Sequence, residues 1–164
     1  GFEFVKLAIS KDGTTLQASV EGYTLFILLS AIKYPDYKVV LTSKRPTKVE
    51  ISRTLLQGVS KRVLLAAGKN KILQLCFKDQ DLTLRARNLE QSECQERVSL
   101  NHYQGSDCQL SINGKFLTDL FTTNPSELIS LCFKNGDDPI SIVPLTEPTG
   151  CISQHVLVPI REND

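Results

Sequence analysis

The side chains best suited to covalent or metal chemistry are five cysteines, Cys76, Cys94, Cys108, Cys132 and Cys151, and two histidines, His102 and His155. A nucleophilic cysteine needs an imidazole beside it, and the nearest such pair in sequence is Cys151 with His155. A Ser/His/Asp set would have to be built on His102. Neither has supporting context: there is no nucleophile elbow, no glycine-rich phosphate loop and no paired histidine motif. A zinc site asks for clustered cysteines and histidines, yet no Cys pair has CxxC spacing and neither histidine completes a cluster. Three of the cysteines lie inside apolar, strand-like runs. They read as small hydrophobes of a protein kept in a reducing cytoplasm. The expectation is a non-enzyme with no metal and no cofactor.

Charge narrows the partners. Lys plus Arg is 19 and Asp plus Glu is 18, a net charge of +1. That balance excludes a polycation gripping nucleic acid by charge alone. With 41% hydrophobic residues in 164, a folded chain of this size buries about two-thirds of its surface. No apolar run is longer than that of Leu25 to Leu29, which has the length of a strand and falls far short of the roughly 20 residues a membrane helix needs. The chain starts at Gly1 and contains no Met, from which further residues upstream are expected.

These residues must be held by elements, and strand signals dominate. Alternating apolar runs cover 4–10, 15–20 and 23–29, with Lys11-Asp12-Gly13 and Glu21-Gly22 as turns. Further runs cover 71–77, 82–87 and 94–100, and then 127–133, 139–143 and 155–160. Two helices interrupt them. Ser52 is a good N-cap for a helix over 53–68, with Leu55, Leu56, Val59, Val63 and Ala66 on the apolar face. Arg53, Gln57, Ser60 and Lys61 fall on its polar face, and Gly68 is a candidate C-cap. Asn113 caps a shorter helix carrying Phe116, Leu117, Leu120 and Phe121, which Asn124-Pro125 stops.

The order of elements repeats. Residues 48–100 read strand, helix, three strands, and residues 108–160 read the same. Residues 2–31 resemble the three strands that close such a unit. The predicted fold class is α+β: pseudo-two-fold βαβββ repeats with two helices packed on antiparallel sheets. Thr42 to Thr47 reads as a linker. The preceding Tyr34-Pro35-Asp36-Tyr37 reads either as a turn with its rings packed on a sheet edge or as an aromatic-apolar corner of a groove.

Tyr34-Pro35-Asp36-Tyr37 after three strands resembles the segment joining the second and third domains of the bacterial sliding clamp, the beta subunit of DNA polymerase III. Lys61-Arg62-Val63-Leu64-Leu65, Asn113 with Phe116, Pro139 to Pro144 and Val156 to Arg161 are similar to that family's third domain, in the same order. The resemblance covers nearly the whole chain but under half of the family's usual length. It implies the DNA-clamp fold, with 1–41 closing the middle domain, 42–47 a linker and 48–164 a complete third domain.

In that family two protomers close head to tail around duplex DNA, with helices lining the hole, and tether polymerase through contacts to phosphate. The resemblance implies a homodimer in the full-length form. Its partners are duplex DNA, the polymerase III alpha subunit, the clamp loader and other proteins carrying short motifs of Gln, Leu and Phe. By position, the peptide groove takes Pro35, Val39, Val40, Asn113, Phe116, Pro139, Ser141, Val156, Leu157, Val158, Pro159, Ile160 and Arg161. The DNA-facing cations are Arg53, Lys61, Arg62 and Lys115. Leu64 and Leu65, with an acidic edge of Glu90, Glu93 and Glu96, match the ring interface. The chain departs from the family's pattern at Val39, where Arg is usual, at Asn70, where an aromatic is common, and in the acidic tail Glu162-Asn163-Asp164. The alternative is a stand-alone clamp-like interaction module that never encircles DNA.

Overall fold

Alternation at period two builds most of the molecule. The computed structural model describes residues 4–34, 36–41, 44–88, 92–123, 126–146 and 153–161. By contact the chain divides into two units, Gly1–Asp36 and Tyr37–Asp164.

The first unit is one antiparallel sheet of β1 (Lys6–Ile9), β2 (Thr15–Val20) and β3 (Tyr23–Leu28) in that order. Asp12 shapes its first turn by accepting from Ser10 Oγ at 2.6 Å and from Thr14 Oγ1 at 2.9 Å. Gly13 follows with φ +70, a left-handed conformation that glycine adopts without strain. The register sets Leu7, Ile9, Leu16, Ala18, Val20, Tyr23, Leu25 and Ile27 on one face.

The second unit opens with α1 (Tyr37–Leu41), β4 (Thr47–Ser52) and α2 (Arg53–Val63). It continues through β5 (Ile72–Lys78), β6 (Asp81–Arg87), β7 (Glu93–Ser99), β8 (His102–Gln104) and β9 (Cys108–Asn113). It ends with α3 (Gly114–Thr123), β10 (Leu128–Phe133), β11 (Ile140–Pro144) and β12 (His155–Leu157). The strands form two sheets, β12-β11-β10-β4-β8 and β7-β6-β5-β9. Each repeat therefore lends its opening strand to the other: β4 pairs with β10, and β9 pairs with β5. α2 and α3 pack on each other and on the sheets. Between them lies one core, in which Leu56, Val59, Val63, Leu73, Leu84, Ile112, Leu117, Phe121, Ile129 and Phe133 are buried. Burying each of the larger side chains is worth about 2 kcal/mol.

Several expectations are corrected. α2 stops at Val63 instead of running to Gly68. Leu64 N still donates to Ser60 O, but Leu65 and Ala66 bond only three residues back, to Arg62 O and Val63 O. This tighter turn seats Leu64 over Gly114, where a Cβ would come within 2.7 Å of the leucine. Ser60, expected on the polar face, is fully buried, while Leu55, expected on the apolar face, is exposed. The last strand ends at Leu157 and not at 160. The chain then crosses to the other sheet, where Ile160 N donates to Ser111 O at 2.7 Å. β8 was not anticipated.

Within the expected corner at 34–37, Tyr37 opens the short helix α1, and Tyr34 and Tyr37 are both exposed. Contact groups α1 with the second unit, whereas the sequence reading drew its boundary after residue 41. The stop at Asn124-Pro125 lies outside the described residues.

Candidate functional site

Arg45 organises the corner that carries α1. Its Nε donates to Pro139 O at 3.1 Å and its Nη1 to Leu41 O at 3.4 Å, while Nη2 donates to Val40 O. The guanidinium fork thus ties the end of α1 to the start of β11, 94 residues away in sequence. β11 in turn pairs with β12, Ile140 opposite Leu157 and Ser141 opposite Val156. Beyond β12, the bond from Ile160 to Ser111 brings the chain alongside β9, just before Asn113 and α3. These links connect Val40, Pro139, Val156, Ile160, Asn113 and Phe116 in series.

The expected groove residues divide by accessibility. Phe116 is 60% exposed and Val158 68%, and Val39 and Arg161 are also exposed. Val40, Asn113, Pro139, Val156 and Ile160 are half-buried. Leu157 packs against the core and Pro159 is buried. Ser141 is buried as well, and its Oγ accepts from Gln154 Nε2 at 2.8 Å, so it is withdrawn from any ligand. Asn113 Oδ1 is committed to the helix cap, accepting from Lys115 N at 3.0 Å and Phe116 N at 3.4 Å. Its amide nitrogen makes no hydrogen bond among the described residues. Pro35 and the acidic tail lie outside the described residues.

The expected cationic face is largely spent inside the fold. The Arg53 side chain is 19% exposed. It donates to Ser126 O at 2.8 Å and Phe121 O at 3.2 Å, capping the far end of α3. Arg62 makes a two-pronged ion pair with Glu96 at 2.8 and 2.6 Å. Two residues expected on different surfaces therefore neutralise each other, and each holds the other in its charged form: the Arg62 pKa is raised and the Glu96 pKa lowered. Lys115 pairs with Asp119 one turn on. Lys61 is exposed and makes no ion pair among the described residues.

The expected ring residues divide too. Leu64 belongs to the core, whereas its neighbour Leu65 is 86% exposed. Glu93 and Glu96 lie three apart on a strand, so they point to opposite faces. Glu96 stands opposite Leu84, on the covered face of the sheet, and Glu93 opposite Arg87. Glu90 lies outside the described residues.

His102 is exposed on β8, His155 is half-buried on β12, and Cys151 lies outside the described residues. Cys76, Cys94, Cys108 and Cys132 are free and half-buried, less enclosed than core hydrophobes. Burial pushes the Cys76 and Cys108 thiols up, away from the nucleophilic thiolate. Among the described residues no three His, Cys, Asp or Glu side chains gather as a metal site.

Sequence reading missed Arg45, which looked like part of a basic linker. It also missed Glu127, which receives Ser52 Oγ at 2.8 Å and Thr54 Oγ1 at 2.7 Å at the start of α2. Both act across long sequence separations, and no local pattern signals such a bond.

Residues 38–161 match the family described as DNA polymerase III beta subunit, C-terminal domain. The beta sliding clamp of Pseudomonas putida is 26% identical over 147 residues, covering 89% of this chain and 39% of the relative. That of Escherichia coli K12 is 22% identical over 156 residues, covering 94% and 42%. The Bartonella birtlesii sliding clamp, solved with griselimycin bound, superposes with a TM-score of 0.83 at 18% identity, over 96% of this chain and 41% of that one. The chain spans about two-fifths of the length of the curated relatives it matches. With the strand exchange between two βαβββ halves now visible as the clamp architecture, the chain belongs to the family of the DNA polymerase III beta subunit and carries its C-terminal domain.

Proposed function

We propose that this chain works as part of a DNA sliding clamp, a non-enzymatic processivity factor that holds replication proteins on duplex DNA. The observation that carries this reading is the match to the C-terminal clamp domain across residues 38–161. Residues 48–164 serve as the third clamp domain, and the first sheet as the closing strands of the domain before it. The whole protein forms a head-to-tail homodimeric ring in the cytoplasm. Its partners are the polymerase III alpha subunit, the clamp loader and other proteins that present short apolar motifs.

The peptide surface uses the accessible residues Val39, Phe116, Val158 and Arg161, with Val40, Pro139, Val156 and Ile160 as its half-buried floor. Exposed aromatic and aliphatic side chains of this kind bury the Leu and Phe of a partner, while the Asn113 amide nitrogen fixes the peptide backbone. Among the four expected cations, Lys61 is the free one and Lys115 the most exposed of the paired ones. A surface so sparsely charged holds phosphate weakly, which suits sliding.

The test is fluorescence anisotropy with a labelled Gln-Leu-Ser-Leu-Phe peptide. The chain is expected to bind saturably, and Phe116→Ala and Val158→Asp should each weaken binding about tenfold or more with the far-ultraviolet dichroism unchanged. Equal affinity in both variants and the parent would remove the assignment.

A further inference from the structure

Lys44, Arg45, Pro46 and Lys134 line an open depression of about 540 Å³ on the second unit. Among the described residues, every charged side chain in that lining is cationic. Arg45 is the group that holds the carbonyls of Val40, Leu41 and Pro139. These contacts place the depression at the corner from which the proposed peptide surface extends, with Lys44 and Lys134 beside it. Lys44 is exposed and makes no ion pair among the described residues. Lys134 approaches Asp138 only to 4.0 Å, with both side chains open to solvent, a contact worth little. The methylene stems of the basic residues and the Pro46 ring give the depression an apolar floor.

We propose that this depression receives an acidic side chain flanking the apolar residues of a bound peptide, so that partners with Asp or Glu on that flank are preferred. The inference rests on the peptide-binding reading above. It goes further by naming the charge of the partner segment and the lysines that select it. Complementary charge beside an apolar anchor contributes specificity and association rate more than raw affinity, so the effect is a preference among peptides.

The experiment titrates the chain with peptides of one apolar sequence whose flanks, on either end, carry two Asp or two Asn. At about 50 mM salt, one Asp-flanked peptide should bind about three- to tenfold tighter than its Asn counterpart. That advantage should shrink as salt rises to about 300 mM. It should disappear in a Lys44→Gln/Lys134→Gln variant, whose substitutions sit on exposed side chains and leave the fold intact. Equal binding of Asp and Asn peptides to the parent chain, or an advantage that survives in the double variant, would overturn the preference while leaving the peptide surface standing. Failure of every peptide to bind would overturn both. Labelled duplex DNA is the third arm. If the double variant loses DNA binding yet keeps the peptide discrimination, the depression serves phosphate and the proposal is wrong.

Discussion

Arg53 sits at the first position of α2 and reaches the last turn of α3, while Glu127, beyond α3, receives the hydroxyls at the start of α2. Each charge stands where the helix ends favour its sign: an anion near the N-terminal amides of α2, and a cation on a C-terminal carbonyl of α3. The hydroxyls of Thr54 and Ser52, then the nearby Arg53, hold the Glu127 carboxyl below its ordinary value. The unfolded chain lacks these partners. The stabilisation is therefore fully present above the ordinary glutamate range and is lost as pH falls through the lower folded-state value. We expect Glu127→Gln to be less stable than the parent at neutral pH and to converge with it under acid. Urea midpoints measured at a series of pH values check this, and a constant difference down to about pH 3 would contradict it.

At the scale of elements, the end of α2 decides which of two adjacent leucines belongs to the core. The helix tightens after Val63, so Leu64 turns in over Gly114 and Leu65 turns out. The loop between β10 and β11 is constrained in a similar way: a Cβ on Gly136 would lie 2.2 Å from the Gln109 carbonyl oxygen, so only glycine lets that loop approach β9. Leu64→Ala should cost about 2–4 kcal/mol and Leu65→Ala less than about 0.5 kcal/mol in chemical denaturation. Similar losses at both would mean that the turn after α2 is not as described. Of the two leucines expected at the ring interface, Leu65 is the accessible one.

For the molecule as a whole, the two units differ in how far they cover their own apolar surface. The second unit encloses its core between helices and sheets. The first presents Leu7, Ile9, Tyr23, Leu25 and Ile27 on one exposed face, a larger apolar surface than scattered single residues make. The chain should therefore bind the dye ANS, and a chain comprising residues 37–164 should bind it far less. Equal dye fluorescence in the two would show that the face is covered in solution.

Much of the architecture was legible because it rests on local pattern. Period-two alternation marked the strands, helical spacing with Ser52 and Asn113 marked the two long helices, and their repetition gave the pseudo-two-fold order. The same residues in the same order pointed to the clamp family. The roles of individual charges were not legible, because an arginine on a helix face has the same local spacing whether it meets phosphate, Glu96 or the carbonyl of Phe121. The strand exchange between halves was equally hidden, since a strand's alternation defines its faces and not its neighbour. Periodicity and capping residues thus determined the elements of this protein, and the ordered motifs from Tyr34 to Arg161 carried its resemblance to the family. Tertiary packing decided that Ser141 and Leu64 are interior, that Phe116, Val158 and Leu65 are accessible, and that Arg45 holds the corner. Burial and pairing depend on what lies across the fold, and that is a property of the assembled chain.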